Sequence, residues 1–283
     1  MQSINIKTAH LQLSGFKAGE GDEVVIALHG WLDNCHSFLP MLCDKALTHT
    51  WYCFDLAGHG LSSWRGVDAQ YHFVDYVDDL YNLIKTLGYK KVHLVGHSMG
   101  AMVAGLFASS FNEYVKSVTF IEGFALITSE EHETAIQLKQ SILSRKRANE
   151  KALKTYENEK MIHLARALNS DLTLEQIELL MQRNIKSVAG GFSLTTDPKL
   201  KNKSAFRFSK AQCIGAIKDF SAPCQLILGH NGYDFVKQNF EQYGNYYNNL
   251  TVKKVNGGHH CHIQSSELCY EHVHAFIVQN SAP

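Results

Sequence analysis

Charge of one sign, long apolar runs, paired cysteines and proline are all scarce in this 283-residue chain. Basic and acidic residues number 27 each, so the formal net charge is 0. The broad basic field of a nucleic-acid binder is therefore missing. No apolar run approaches the ~20 residues of a membrane helix; Val24–Leu28, one of the longest, stops far short. The stretch Met1 to His10 has neither a basic nor an apolar segment, so no secretory signal is expected. Seven cysteines, an odd number without a Cys-x-x-Cys pair, read as reduced thiols of a cytoplasmic protein. Prolines number only 4, about 1% against a typical ~5%, which leaves the backbone pliable. Repeats and low-complexity tracts are absent. What is present suffices for a large core. Apolar residues make up 45% and aromatics 11%, which argues against disorder. The length suits one large domain, or one domain carrying an insertion.

Ile4 to Lys7 and Leu11 to Phe16 alternate like paired antiparallel strands, followed by the turn Gly19-Glu20-Gly21-Asp22. Val24–Leu28 is a continuous β-branched and aliphatic run, the pattern of a strand covered on both faces. Short apolar strands follow at Trp51–Phe54, Val92–Val95, Val118–Ile121, Gln225–Leu228 and Thr251–Val255. Helix-length segments such as Tyr71–Leu87 and Met99–Phe111 lie between them. This order predicts an α/β fold with a mostly parallel central sheet flanked by helices. Between about 125 and 211 the rhythm breaks. The period there is helical (Leu138, Ile142; Leu164, Leu168; Ile177, Leu180, Met181), no strand is expected, and Gly190-Gly191 punctuates it as a loop. Residues 125–211 are read as an inserted helical cap, and residues 1–124 and 212–283 as the core. Extra helices packed on the sheet edge are the alternative.

The strongest chemical signal is Gly96-His97-Ser98-Met99-Gly100, set between a strand and a helix. A serine on such a sharp turn projects its hydroxyl above the sheet. Glycines two residues to either side let neighbouring backbone pass close, and the helix N-terminus favours developing negative charge. An ordinary glycine-rich turn is the alternative. A serine nucleophile needs a base at neutral pH. Of the 16 histidines, His259 in Gly257-Gly258-His259-His260-Cys261-His262 follows the last strand, where a base in this chain order belongs. A metal cluster is disfavoured, because adjacent residues of a tight loop cannot all converge on one tetrahedral ion.

Two carboxylates compete to orient His259. Glu122 ends the strand Val118–Ile121, at the sheet edge where sites of such folds gather. Asp234 follows the strand Gln225–Leu228, and N-capping the next helix is its alternative role. Glu122 is preferred and Asp234 is kept as the alternative acid. The oxyanion hole needs two backbone N–H groups, expected from Met99 and from Trp31 in the loop His29-Gly30-Trp31-Leu32-Asp33-Asn34. Gly30, Trp31 and His97 are expected to line the substrate site. The turn Asp55-Leu56-Ala57-Gly58-His59-Gly60-Leu61-Ser62 reads as scaffold.

His29-Gly30-Trp31, Asp55 to Gly60, Gly96-His97-Ser98-Met99-Gly100 and Gly258-His259 together resemble the α/β-hydrolase superfamily across essentially the whole chain. More narrowly, His29 to Asn34, Gly232-Tyr233 and Val188-Ala189-Gly190-Gly191 resemble the serine hydrolase-like group that includes kraken. In that group an acid ends the sixth core strand, which implies Glu122. The commoner superfamily position implies Asp234, although Asp234 lies further beyond Gly229 than that pattern has it. Dehalogenases and epoxide hydrolases of similar fold use an aspartate nucleophile, which Ser98 argues against.

The function expected is hydrolysis of a small ester or thioester through a Ser-His-acid triad, with no metal or organic cofactor. A ligand-binding module with little turnover and an acyltransferase are the rivals. The expected partner is a small-molecule acyl substrate, with no nucleic acid and no membrane, for a monomer or homodimer. The zero net charge conceals a division. Residues 139–218 hold 16 basic against 7 acidic side chains, and the remainder holds 11 against 20. A basic segment over an acidic core is expected to attract it, and also to steer anionic acyl substrates.

Overall fold

The structure is a computed structural model that describes residues 1–149, 154–168 and 170–281. Residues 150–153 and 169, inside the predicted cap, lie outside the described residues. The alternating N-terminal segments form β1 (Gln2–Lys7) and β2 (Gln12–Ala18), paired antiparallel with Ile4 opposite Gly15. Then come β3 (Val24–Leu28), β4 (Thr50–Phe54), β5 (Val92–His97) and β6 (Val115–Ile121). A short pair, β7 (Ile185–Val188) and β8 (Gly191–Leu194), stands apart from the main sheet, which β9 (Cys224–Gly229) and β10 (Leu250–Val255) complete. The eight-stranded order is β1-β2-β4-β3-β5-β6-β9-β10, parallel from β4 onward.

β3 lies between β4 and β5, so all five of its residues are buried. Its alternating side chains feed two layers. Ile26 and Leu28 join Leu80, Leu83, Val103 and Phe107 on one face. Val25 and Ala27 join Phe38, Met41, Trp51 and Ile277 on the other. A strand of this kind is apolar at every position because both pleat faces are covered. The parallel strands carry their C-terminal ends to one edge, and the loops after β3, β5, β6, β9 and β10 gather there.

Several sequence expectations need correction. The helix expected over Tyr71–Leu87 begins at Asp75. The 125–211 segment contains helices Thr134–Asn149, Glu159–Ala167 and Leu174–Met181, but it also contains the β7-β8 hairpin. Val188 opposes Gly191 across an Ala189-Gly190 turn, where Gly190 takes φ 84°. Gly191 is thus a strand residue and not loop. Tyr156 bonds Phe192 in both directions at 2.8 Å, so the hairpin's backbone groups find partners outside the main sheet. Helical period also misled locally. Ile177, Leu180 and Met181 are buried with Ile162 and Ile263, whereas Leu138, Ile142, Leu164 and Leu168 are exposed. Among the described residues no helix is long and apolar enough to cross a membrane.

Candidate active site

Ser98 sits between β5 and the helix Met99–Ser110 with φ 51° and ψ −116°, a region that L-residues seldom occupy. The turn is held by the Ser98 N–H donating to the Ile121 carbonyl at 2.9 Å. Its glycines are steric necessities. A Cβ on Gly96 would lie 2.5 Å from Ala101 backbone, and one on Gly100 would lie 2.1 Å from the Leu28 carbonyl. Met99 opens the helix, so its N–H has no intrahelical acceptor.

His259, on the loop after β10, brings Nε2 to 2.9 Å from Ser98 Oγ. Its Nδ1 faces Glu122 Oε2 at 3.5 Å, the outer limit of a hydrogen bond. A carboxylate only accepts, so Nδ1 carries the proton and Nε2 is free to accept the Ser98 hydroxyl proton. Such contacts tighten in substrate complexes. The Tyr233 ring stacks on His259 with centroids 4.0 Å apart.

Glu122 follows β6 directly, is fully buried and has φ 46°. Gly229 N–H donates to its Oε1 at 2.8 Å, and Tyr233 N–H to its Oε2 at 3.2 Å. A Cβ on Gly232 would lie 2.1 Å from Oε1, so the carboxylate is packed against a bare backbone. Asp234, the alternative acid, is not brought to His259. Its side chain is 88% exposed and lies 3.5 Å from Lys237. Nor is it an N-cap, because Tyr233 takes that place and Asp234 is the first residue of the helix Asp234–Tyr243. The helix turns it outward, away from the sheet edge.

Gly30 comes close to Ser98, since a Cβ there would lie 3.2 Å from Ser98 Cβ. The loop is fixed by His29, whose Nδ1 donates to the Gly30 carbonyl at 2.7 Å while Nε2 accepts the Leu56 N–H at 2.8 Å. Burial pushes His29 below its ordinary pKa, which suits this neutral tautomer. Trp31 is half-exposed, and its indole N–H donates to the Leu200 carbonyl at 3.1 Å. The turn after β4 is scaffold in its contacts. Asp55 accepts from Cys35 N–H at 2.9 Å and Leu61 N–H at 2.8 Å, and Arg183 Nη2 lies 2.7 Å away. Burial alone would raise the Asp55 pKa, yet Arg183 holds it below the usual carboxylate value.

The other loop histidines diverge. His260 is paired with Asp171 (Nδ1 to Oδ1, 2.5 Å) and with Asp33 (Nε2 to Oδ2, 3.3 Å). Asp33 is paired in turn with Arg166 at 2.6 Å. His262 is buried between the His97 and Phe38 rings, 4.1 and 5.6 Å from it. Among the described residues no group of His, Cys, Asp and Glu is arranged to hold a metal ion. Arg166, Asp171 and Arg183 were not found by sequence reasoning, and Asp33 was noted only as part of its loop. Their one signal was the charge division at residues 139–218.

Two cavities meet at Ser98. One, of about 490 Å³, is bordered by Gly30, Trp31, His97, Tyr233 and His259. The other, of about 540 Å³, is bordered by Trp31, Met99 and a set of apolar side chains. Gly30, Trp31 and His97, the expected lining residues, all border the first.

Residues 23–266 match the α/β-hydrolase fold family. The chain is similar to a serine hydrolase-like protein of Danio rerio, 27% identical over 272 residues, covering 91% of this chain and 82% of that one. It is also similar to serine hydrolase-like protein 2 of Homo sapiens, 28% identical over 225 residues, covering 77% and 71%. A solved structure of a hypothetical protein from Pseudomonas aeruginosa PAO1 has a TM-score of 0.90 at 28% identity, covering 99% of this chain and 100% of that one.

Proposed function

The chain belongs to the α/β-hydrolase fold family, and on that footing we propose that it is a serine hydrolase cleaving a small ester or thioester through an acyl-enzyme on Ser98. The reading rests on one observation above all: His259 bridges Ser98 Oγ at 2.9 Å and Glu122 at 3.5 Å. In this reading Ser98 Oγ attacks the acyl carbon as His259 Nε2 takes its proton, and the imidazolium then gives that proton to the departing alcohol or thiol. Water attacks the acyl-enzyme by the same route in reverse, releasing the acid and restoring the Ser98 hydroxyl. Glu122 keeps His259 in the required tautomer and stabilises the imidazolium. The N–H groups of Met99 and Trp31 receive the oxyanion, the larger electrostatic contribution in acyl transfer. Residues 125–211 serve as the cap over a core of 1–124 and 212–283, tied down through Arg166, Asp171 and Arg183.

The test is turnover of p-nitrophenyl butyrate by the wild type and by Ser98→Ala. Loss of activity in the folded variant supports the reading, and retained activity overturns it. A folded wild type that turns over no ester or thioester favours a binding module on this scaffold.

A further inference from the structure

The two cavities at Ser98 differ in chemistry, and their borders assign the two halves of a substrate. The first is the more polar of the two, with Asn184, Thr196, Arg166 and Lys201 beside His259 and Tyr233 among apolar side chains such as Ile162 and Met181. The second is lined mainly by apolar side chains, among them Met102, Leu126, Ile127, Phe208 and Phe235, and also has Arg207 at its border. Trp31 and Ser98 border both, so the two arms adjoin at the nucleophile. His259 borders only the polar arm. The atom that leaves must take its proton from His259 and so must lie within hydrogen-bond reach of that ring. This puts the leaving group in the polar arm and leaves the apolar arm to the acyl chain.

The polar arm does not end at Arg166, whose charge Asp33 already engages. A third cavity, of about 510 Å³, shares Tyr156, Leu194, Thr196 and Lys201 with it and adds Lys154 and Arg147. Among the described residues no carboxylate lies within salt-bridge distance of Lys154 or Lys201; Lys154 Nζ sits 4.4 Å from the Tyr156 ring centroid. The acid in that cavity, Asp197, is buried and engaged by the Tyr71 hydroxyl at 2.8 Å and the Lys199 N–H at 2.9 Å. The cavity at the nucleophile is thus adjoined, across shared walls, by the third, which Lys154 and Lys201 border.

We propose that the substrates are esters or thioesters of an apolar acyl chain whose alcohol or thiol ends in an anionic group, phosphate or carboxylate, received by Lys154 and Lys201. This rests on Ser98 being the nucleophile. The Ser98 Oγ–acyl carbon bond forms, the acyl carbon–sulfur or –oxygen bond breaks, and the leaving atom departs into the polar arm with the proton from His259.

Three thioesters sharing a hexanoyl group test the assignment: hexanoyl-coenzyme A, S-hexanoyl-3-mercaptopropionate and the neutral S-hexanoyl-N-acetylcysteamine. The expected result is a kcat/KM about tenfold or more higher for at least one anionic thioester than for the neutral one, with an excess that shrinks as salt is added. Preference for the coenzyme A ester marks phosphate as the group recognised, and preference for the mercaptopropionate marks carboxylate. In Lys154→Ser/Lys201→Ser the anionic-to-neutral ratio should fall toward one. Equal turnover of all three by the wild type, or a ratio unchanged in the double variant, overturns the proposal. Ile127→Trp should depress hexanoyl relative to acetyl thioester turnover; equal effects on both would move the acyl chain out of the apolar arm. Turnover of p-nitrophenyl butyrate with no turnover of any thioester overturns the present proposal alone. If neither a thioester nor p-nitrophenyl butyrate is turned over, it is the nucleophile reading that fails. The basic arm is then judged by calorimetric titration of coenzyme A and 3-mercaptopropionate into the folded protein. Saturable binding lost in the double variant supports the arm, and no binding overturns it.

Discussion

His97 Nε2 donates to the main-chain carbonyl of His259 at 2.9 Å, so the residue before Ser98 holds the loop that carries the proposed base. The two lie 162 residues apart in the chain. Burial pushes the His97 pKa well below its ordinary value, and a neutral ring with one N–H suits a carbonyl partner. Positioning of Ser98 and His259 is therefore coupled through a single buried imidazole.

Replacing His97 with Phe removes the donor and keeps the ring volume. A buried carbonyl left without its partner costs about 1–3 kcal/mol, which urea unfolding should report. With the His259 loop loosened, kcat should fall about 10- to 100-fold. Unchanged kcat in a destabilised variant would mean that the bond is structural only.

The two candidate acids separate by mutation. Glu122→Gln should lower kcat by about 10³- to 10⁴-fold, because the amide no longer holds the right tautomer of His259. Asp234→Asn, on an exposed carboxylate, should stay within about twofold of wild type. Steady-state kinetics on one ester distinguishes them, and the reverse pattern would transfer the role to Asp234.

How much could be read from the chain follows from how local each signal is. The strand-to-helix turn at Ser98 was legible because strand, glycines and helix all lie within a few residues of it, and the place of His259 because it follows a glycine after the last strand. The choice between Glu122 and Asp234 stayed open because both follow core strands, and only the fold shows that Glu122 is buried beside His259 while Asp234 is exposed. The Asp33–Arg166 and Asp171–His260 pairs join residues 133 and 89 positions apart, which no local pattern encodes. The β7-β8 hairpin escaped notice because its strands are four residues each and sit among helices.

Arg183 and Asp55 form a buried pair joining the 125–211 segment to the turn after β4. Arg183→Met leaves the fully buried Asp55 carboxylate without its cation, which should destabilise the fold by about 3–5 kcal/mol. Adding Asp55→Asn should recover part of that loss. A change below about 0.5 kcal/mol in urea unfolding would show that the pair is energetically idle.

The Asp171–His260–Asp33 cluster makes stability depend on pH. Burial would lower the His260 pKa, but Asp171 and Asp33 overcome this and raise it to about 9. Because the folded value lies above the unfolded one, the stabilisation is fully present below about pH 6.5 and is lost as pH rises through about 9. Burial would raise the Asp171 pKa, but His260 holds it at about 2, so its contribution is lost only as pH falls through that value. The unfolding free energy of the wild type, relative to His260→Gln, should decline by about 2–3 kcal/mol between pH 6.5 and 9. A difference independent of pH in that window would contradict the coupling.

Covalent labelling discriminates between Ser98 as the nucleophile and any other residue. Native protein treated with a fluorophosphonate should gain one adduct by intact-mass spectrometry, and peptide mapping should locate it on Ser98. Folded Ser98→Ala should gain none. A folded wild type that stays unlabelled, or an adduct on another residue, would contradict the account.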